Sequence, residues 1–227
     1  MKVKVQFNIN PNIYLRDPQE TKLGQNIIQH SISLIHEIGF ENFNFKKLSV
    51  EINCTEASVY RYFENKHKLL NFLTSWYWEL INFNIEFASS NISDPAENLK
   101  QVIKIITHNA KDLMETEVNE TKLHTIIINE ASKSFHVADI DESNQQGNFA
   151  NYKKLILKIT DIISKINPNY PYPNSLATLL MDTAIDHEYY AEHLPRLVNL
   201  DAKNLNEELY TYLIHLSNNL LNIKLDQ

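Results

Sequence analysis

The sequence predicts an all-α fold in which a small N-terminal helical module precedes a larger helical body. Apolar residues recur three and four positions apart over most of the 227 residues, which is the spacing of amphipathic helices. Start signals recur too, because Asp17-Pro18 and Asp94-Pro95 each place a capping side chain before a proline. The predicted helices are 18–38, 45–52, 56–63, 66–89, 95–116, 120–136, 148–166, 175–194 and 203–224.

Three segments fall outside these helices. Residues 2–9 alternate with period two, as in a strand, but an isolated strand has no partner in a helical protein. We therefore expect residues 1–17 to form an N-terminal arm or a frayed end. Segment 137–147 is acidic and polar, segment 167–174 is rich in proline and asparagine, and both are predicted loops.

Composition excludes several classes of protein. A single cysteine excludes a disulfide scaffold and fits a reducing compartment. No run approaches the ~18 apolar residues of a membrane span, and residues 1–10 lack the apolar stretch of a signal peptide. We expect a cytoplasmic protein without a membrane partner.

The sequence offers no pattern typical of catalysis. The three glycines are isolated, so no phosphate-binding loop can be written. His187 and His193 are six residues apart, which places them on different faces of a helix rather than around one metal ion. We therefore predict no enzyme activity, no metal and no cofactor.

Charge is distributed unevenly along the chain. Residues 1–75 hold 9 Lys/Arg and 7 Asp/Glu, whereas residues 76–227 hold 12 and 21. The first third is thus mildly basic although the whole chain has a net charge of −7. Such an asymmetry indicates a polyanionic partner for the first third alone.

Residues 44–63 have the pattern of two short helices joined by a tight turn. Asn44 and Thr55 are placed to cap a helix each, and Asn53 can adopt the left-handed conformation that ends the first one. On the second helix Val59 and Phe63 are four residues apart and face the core. The opposite face carries Ala57, Tyr60 and Arg61. This is the plan of a helix-turn-helix.

A specific string follows this motif: residues 60–66 read Tyr-Arg-Tyr-Phe-Glu-Asn-Lys, and Leu69-Leu70 come next. With this string, the Gly39-Phe40 helix end and the Leu48-Ser49 pair, the chain resembles the TetR family of bacterial transcriptional regulators. The resemblance covers about residues 20–75. Asn53 and Ala57 stand where that family commonly has glycine, which leaves the base preference open.

The resemblance implies a three-helix DNA-binding module at 18–66 and a helical effector-binding and dimerisation domain at 67–227. It implies double-stranded DNA as the partner of the module. Phosphate contacts are implied for Thr55, Ser58, Tyr60, Tyr62 and Lys66. Base-edge contacts are implied for Glu56, Ala57 and Arg61. Lys46 and Lys47 lie near the start of the first short helix and can add phosphate contacts.

Each of these roles has a simpler alternative. Tyr62 can be a packed aromatic residue, and Lys46 and Lys47 can be ordinary solvated charges. Arg61 can pair with an acidic neighbour on its own helix. Cys54 can be a small buried residue of the turn or a redox sensor.

The body offers weaker signals. In the TetR family the helix at 66–89 joins the DNA-binding module to the effector domain, although its aromatic stripe also suits a plain core. Candidate effector-pocket residues are Trp76, Thr107, His108, His124 and Tyr152. Helices 175–194 and 203–224 each carry an apolar stripe, which either forms a homodimer interface, as the family implies, or closes the core of one chain.

The predicted function is a homodimeric, sequence-specific transcriptional regulator, a repressor in most of the family, that binds a palindromic operator. An unknown small-molecule effector would release it from DNA. The alternative is a helical ligand-binding or adaptor protein that has no DNA-binding role.

Overall fold

The structure is a computed structural model and describes residues 5–108, 116–135 and 140–225. Within these ranges the chain is helical and forms no β-strand, as the sequence predicts. The α-helices are α1 (Lys22–Asn42), α2 (Phe45–Glu51), α3 (Glu56–Tyr60), α4 (Lys66–Ser89), α5 (Pro95–His108), α6 (Glu120–Glu130), α7 (Ser132–Phe135), α8 (Ile140–Gln145), α9 (Ala150–Ile166), α10 (Pro173–His193) and α11 (Leu205–Leu221).

The chain divides into two compact units. The first unit consists of Met1–Glu79 and Met114–Tyr152, and the second of Leu80–Leu113 and Lys153–Gln227. The first therefore contains α1 to α3, and α4 and α9 each contribute residues to both.

The first unit is built on α1, which packs against α2 and α6. Ile28, Ile32 and Ile35 are buried on this helix, four and three residues apart, as expected for an amphipathic helix. Gly39 leaves the helical conformation with φ +76° and ψ 155°, so the predicted stop at this residue is real. A short helical turn continues beyond it to Asn42, and Phe40 and Phe43 are buried there.

The predicted start of α1 at residue 18 is wrong by four residues. Asp17 does cap Pro18–Glu20, but this is a separate 3₁₀ helix, and α1 begins at Lys22 with Thr21 as its cap. Gly24 explains why the two elements separate there. The backbone of Pro18 lies so close to Gly24 that a β-carbon on Gly24 would overlap the carbonyl oxygen of Pro18.

The described part of the N-terminal arm is packed, so of the two predicted alternatives residues 5–9 form an arm and not a frayed end. Phe7 and Ile9 are buried, and the side chain of Gln19 bonds both backbone groups of Phe7. The Phe7 N–H donates to Oε1 and the Phe7 carbonyl accepts from Nε2, each at 2.9 Å. The Gln19 amide thus makes the two backbone hydrogen bonds that a neighbouring strand would otherwise make. The alternating sequence pattern alone gives no sign of this contact.

The second unit packs α5 against α10 and α11. Leu176, Leu180, Leu209 and Leu213 are buried, so most of both C-terminal stripes closes the core of a single chain. Leu179, Tyr212 and Leu220 remain exposed on the same two helices.

Other boundaries differ from the predictions at segment ends. Helix α3 ends at Tyr60 rather than at 63, and α8 occupies part of the predicted loop 137–147. The predicted helix 120–136 is divided into α6 and α7. Residues 109–115 and 136–139 lie outside the described part of the structure. The end of the predicted helix 95–116 therefore cannot be compared with that of α5.

Among the helices of the described residues, none is long and apolar enough to cross a membrane.

We predict that Gly24→Ala destabilises the protein. Alanine in a helix normally stabilises relative to glycine, but here its methyl group would overlap the Pro18 backbone. We expect a loss of about 1–3 kcal/mol in the free energy of unfolding, measured by urea denaturation. Asn26→Ala, two residues along the same helix, is the control and should change it by no more than about 0.5 kcal/mol. A Gly24→Ala protein as stable as the wild type would contradict the close approach.

Candidate nucleic-acid interface

Helices α2 and α3 form a helix-turn-helix whose ends are fixed by the predicted side chains. Asn44 caps α2 by accepting from the Lys47 N–H at 2.9 Å. Asn53 adopts the left-handed conformation with φ +52°, and the Cys54 N–H donates to the Ser49 carbonyl at 2.9 Å. Thr55 caps α3 by accepting from the Ser58 N–H at 3.2 Å. The three local predictions are confirmed.

The short helix α3 presents one face to the core and the other to solvent. Val59 and Phe63 are completely buried, and the ring of Phe63 meets Phe72 of α4 at 5.5 Å. Tyr60 is 46% exposed, with its ring edge against Phe45 at 5.0 Å. The remaining exposed side chains of this face are those of Glu56, Ala57 and Arg61.

The polar residues around α3 are also accessible. Thr55 is exposed and Ser58 half-buried, and their hydroxyls are 2.8 Å apart. Lys46 and Lys47 are exposed on α2, where Nζ of Lys47 donates to the Asn42 carbonyl at 2.8 Å. Among the described residues Arg61 makes no ion pair, so the predicted alternative of a partner on its own helix is not what the structure has.

Tyr62 lies inside the module. Its side chain is 3% exposed, and its hydroxyl shares a 2.7 Å hydrogen bond with that of Thr21. The guanidinium of Arg16 covers the ring at 5.6 Å. The structure therefore favours the packed-aromatic alternative, and we withdraw Tyr62 from the DNA-contacting set because a phosphate cannot reach a buried hydroxyl without displacing these contacts.

Lys66 is the first residue of α4, and its ammonium group hydrogen-bonds to backbone carbonyls at the C-terminal end of α1. Nζ donates to the carbonyls of Phe40, Glu41 and Phe43 at 3.0, 3.1 and 3.3 Å. It also lies 4.7 Å from the ring centroid of Phe40. Because an ammonium has three hydrogens, these carbonyls occupy all of its donor capacity.

A second lysine reaches the same end of α1. Nζ of Lys133 in α7 lies 2.7 Å from Oε1 of Glu41 and 2.7 Å from Oε2 of Glu130. The hydrogen bond from Lys133, followed by its positive charge, lowers the pKa of the Glu41 carboxyl. Glu41 therefore stays ionised at neutral pH, and α7 is joined to the C-terminal end of α1.

Cys54 lies in the turn and is half-buried, with its Sγ 3.4 Å from the Thr55 carbonyl. Burial raises the pKa of the Cys54 thiol. Because the reactive form of cysteine is the thiolate, this environment favours the small packed residue over the redox sensor.

Two of the candidate effector residues, Trp76 and Tyr152 of the first unit, line separate small cavities. Trp76 is buried against Phe7 with ring centroids 5.0 Å apart, and His124 shares a 2.7 Å hydrogen bond with the Tyr77 hydroxyl. Thr107, in the second unit, donates to the Ile103 carbonyl of its own helix at 2.8 Å. The side chain of His108 lies outside the described part of the structure.

Tyr152 lines a small cavity that sequence patterns did not indicate. The cavity measures about 10 Å³, room for about one water molecule, and Trp78 and Asn148 also line it. Asn148 is 4% exposed, and within the described residues neither its carboxamide atoms nor Nε1 of Trp78 has a hydrogen-bond partner. Nothing in the local sequence distinguishes Asn148 from the other asparagines of the chain, so only the fold could reveal it.

Metal ligands are not grouped in the described ranges. No set of three or more His, Cys, Asp or Glu side chains there is arranged to hold a metal ion.

Comparisons with known proteins match the helix-turn-helix segment. Residues 27–72 match the family model described as bacterial regulatory proteins, tetR family. No curated protein sequence matches the chain.

Solved structures extend the likeness to the whole fold. A putative TetR-family transcriptional regulator from Syntrophomonas wolfei is 16% identical, with 85% of this chain and 93% of that chain covered and a TM-score of 0.63. The SmeT–triclosan complex is 16% identical, covering 85% and 90% with a TM-score of 0.58. AibR in complex with isovaleryl coenzyme A and operator DNA is 14% identical, covering 83% and 97% with a TM-score of 0.56.

At such identities the structural likeness shows the fold, and the family model supplies the DNA-binding segment. Residues 27–72, from within α1 into α4, are thus similar to the tetR family of bacterial regulatory proteins, and the helical fold of the chain is similar to that of a solved TetR-family regulator.

Proposed function

We propose that the chain is a homodimeric transcriptional regulator, acting as a repressor, that inserts α3 into the major groove of a palindromic operator. The observation that carries this proposal is the division of α3 into a fully buried face and an exposed face. Val59 and Phe63 hold the helix in place, while Tyr60 and Arg61 face outward. A recognition helix needs this arrangement, since it must be fixed by its own protein while it reads the groove.

The proposed DNA contacts follow from the chemistry of the exposed side chains. Arg61 is suited to bidentate recognition of guanine, and Glu56 can accept from the amino group of cytosine. Ala57 is suited to contact with a thymine methyl group. Phosphate contacts are proposed for the accessible polar residues Lys46, Lys47, Thr55, Ser58 and Tyr60.

Lys66 supports the module in a second way. Its ammonium already has three carbonyl acceptors at the end of α1. A phosphate bound by Nζ would have to displace one of them. We keep Lys66 in the proposed set because it is the first residue of α4, and the N-terminal end of a helix favours an anion.

The proposed dimer uses the exposed apolar residues of the two C-terminal helices. Leu179 lies on α10, within the predicted interface range 175–194, and Tyr212 and Leu220 lie on α11, within 203–224. These three side chains are at least one third exposed although their neighbours fill the core. Two copies would place two recognition helices on two half-sites.

The proposed regulation is release by a small-molecule effector bound in the domain at 67–227. Of the proteins similar in fold to this chain, SmeT is known in complex with triclosan, and AibR with isovaleryl coenzyme A and operator DNA. In this chain Asn148 and Trp78 offer an unpaired buried amide and an unpaired indole N–H, at a cavity of about 10 Å³ that would have to widen to admit a polar group of a ligand. An effector changes DNA affinity only by the difference between its affinities for the two conformations.

The alternative, a helical ligand-binding or adaptor protein without a DNA-binding role, differs in a measurable way. The test is selection from random-sequence duplexes followed by gel shifts at about 50 and 200 mM salt. A protein that neutralises several phosphates loses affinity steeply over this range. Absence of any selected sequence, or affinity that ignores salt, would favour the alternative.

We predict that Arg61→Ala weakens binding to the selected operator by about tenfold to a hundredfold, because one bidentate base contact is worth about 1–3 kcal/mol. Affinity for random duplex should fall much less. Arg196→Ala is the matched control, since it removes the same charge from an exposed turn outside the module. Equal losses for the two variants in gel shifts would contradict the base-reading role.

We predict that Lys66→Met lowers the free energy of unfolding by about 1–2 kcal/mol, because three backbone carbonyls lose a charged donor. Urea denaturation measures the loss, and Lys46→Met, at an exposed lysine of α2, should leave stability almost unchanged. A Lys66→Met protein of wild-type stability would contradict the capping role.

We predict that Leu179→Glu combined with Leu220→Glu converts a dimer into a monomer, because charges replace apolar contacts in the proposed interface. Sedimentation at micromolar concentration should give twice the 26.5 kDa chain mass for the wild type and the chain mass for the variant. Leu157→Glu, at an exposed leucine of α9, is the control and should remain dimeric. A monomeric wild type would overturn the proposed interface.

A further inference from the structure

We infer that residues 7–16, called the arm strap below, position the recognition helix by joining its C-terminal end to the start of α9. The inference rests on the proposed DNA-binding function, because only there does the position of α3 have a functional consequence. All of the contacts that carry it lie within the first unit.

One end of the arm strap is fixed to the segment around α9. Nδ2 of Asn10 and Nδ2 of Asn12 both donate to the carbonyl oxygen of Gln146, at 2.7 and 2.9 Å. The Asn8 carbonyl accepts from Nδ2 of Asn151 at 3.1 Å. Three hydrogen bonds thus hold the strap to residues 146–151, which lead from the end of α8 into the first turn of α9.

The other end is fixed beside the recognition helix. The Leu15 N–H donates to the Tyr62 carbonyl at 2.8 Å, two residues after α3 ends. The Arg16 guanidinium lies over the ring of the same tyrosine. Nζ of Lys68 in α4 donates to the Asn12 carbonyl at 3.1 Å. The strap therefore holds the chain at the point where α3 passes into α4.

The middle of the strap is rigid enough to connect the two ends. Ile9 and Ile13 are buried, and the ring of Tyr14 meets Phe72 of α4 at 6.0 Å. Asn10 caps the 3₁₀ helix Pro11–Ile13 by accepting from the Asn12 N–H at 3.0 Å. Because the strap is capped, buried and hydrogen-bonded at both ends, a displacement of residues 146–151 would move the segment around Tyr62 as well.

Position matters at Tyr62 because α3 has only five residues. A helix of that length has no stability of its own and takes its orientation from its packing and its ends. Release of the strap would leave the module folded on Val59 and Phe63 but would loosen the C-terminal end of α3. The expected defect is therefore in base reading rather than in phosphate binding.

The first test combines Asn10→Ser with Asn12→Ala, which removes both donors to Gln146 without changing the charge. Native-state hydrogen exchange is then read at the amides of Tyr62 and Phe63, distant in sequence from the changes. We expect their protection to fall about tenfold, the size expected when one or two hydrogen bonds are lost. Amides of α1, such as Ile32, should keep their protection.

The control is Asn8→Ala. The side chain of Asn8 is exposed, and its contact with Asn151 uses the backbone carbonyl, which alanine retains. This variant should exchange like the wild type. Unchanged protection at Tyr62 and Phe63 in the double variant, or a uniform loss over all slow amides, would overturn the inference.

The second measurement is the ratio of affinities for the selected operator and for random duplex of the same length. The double variant should lower this ratio about tenfold, whereas Asn8→Ala should not change it. An unchanged ratio would overturn the positioning role even if exchange at Tyr62 increased. If the wild type selects no DNA at all, the proposed function fails, and the exchange experiment still decides whether the strap couples the two ends.

Discussion

The burial of Val59 and Phe63 is the constraint on which the rest of the structure depends. Five residues cannot form a stable helix in water, so α3 exists because this buried pair and its neighbours hold it. Phe63 meets Phe72 at the beginning of α4, which ties the recognition helix directly to the long helix behind it. Because this side of α3 is fixed against the core, its opposite side faces the solvent.

Several separate contacts converge on the same small module. Lys66 closes α1 through three carbonyls, and Lys133 reaches Glu41 at the same helix end. From the other side the arm strap meets Tyr62 at the end of α3. The module is therefore held from two sides, by the α7 ion pair and by the arm strap.

The local features of the site could be predicted from sequence because they depend on neighbouring residues. Asn44, Asn53 and Thr55 act within three residues of their own positions, so their capping and turn roles follow from residue type. The burial of Val59 and Phe63 likewise follows from their spacing of four, although Phe63 lies three residues beyond the end of α3. The same reasoning overestimated α3 by three residues, because the chain must turn before α4 can begin at Lys66.

The features that could not be predicted depend on residues distant in sequence. Tyr62 is buried because Thr21 and Arg16 cover it, and both precede it by more than forty residues. Gln19 pairs with the backbone of Phe7, a contact for which an alternating strand pattern gives no signal. The place of Lys66 in the sequence motif implies a contact with a DNA phosphate. In the structure, its ammonium group instead donates to backbone carbonyls at the end of α1. Residue type shows which bonds a side chain can make, and only the fold shows which of them it makes.

The most direct test of the account is a crystal structure of the full chain bound to a duplex that it has selected from random sequence. We expect Arg61 and Glu56 at base edges in the major groove, with Val59 and Phe63 still enclosed by the module. A complex in which DNA lies on another surface, or in which α3 turns its apolar face outward, would contradict the account.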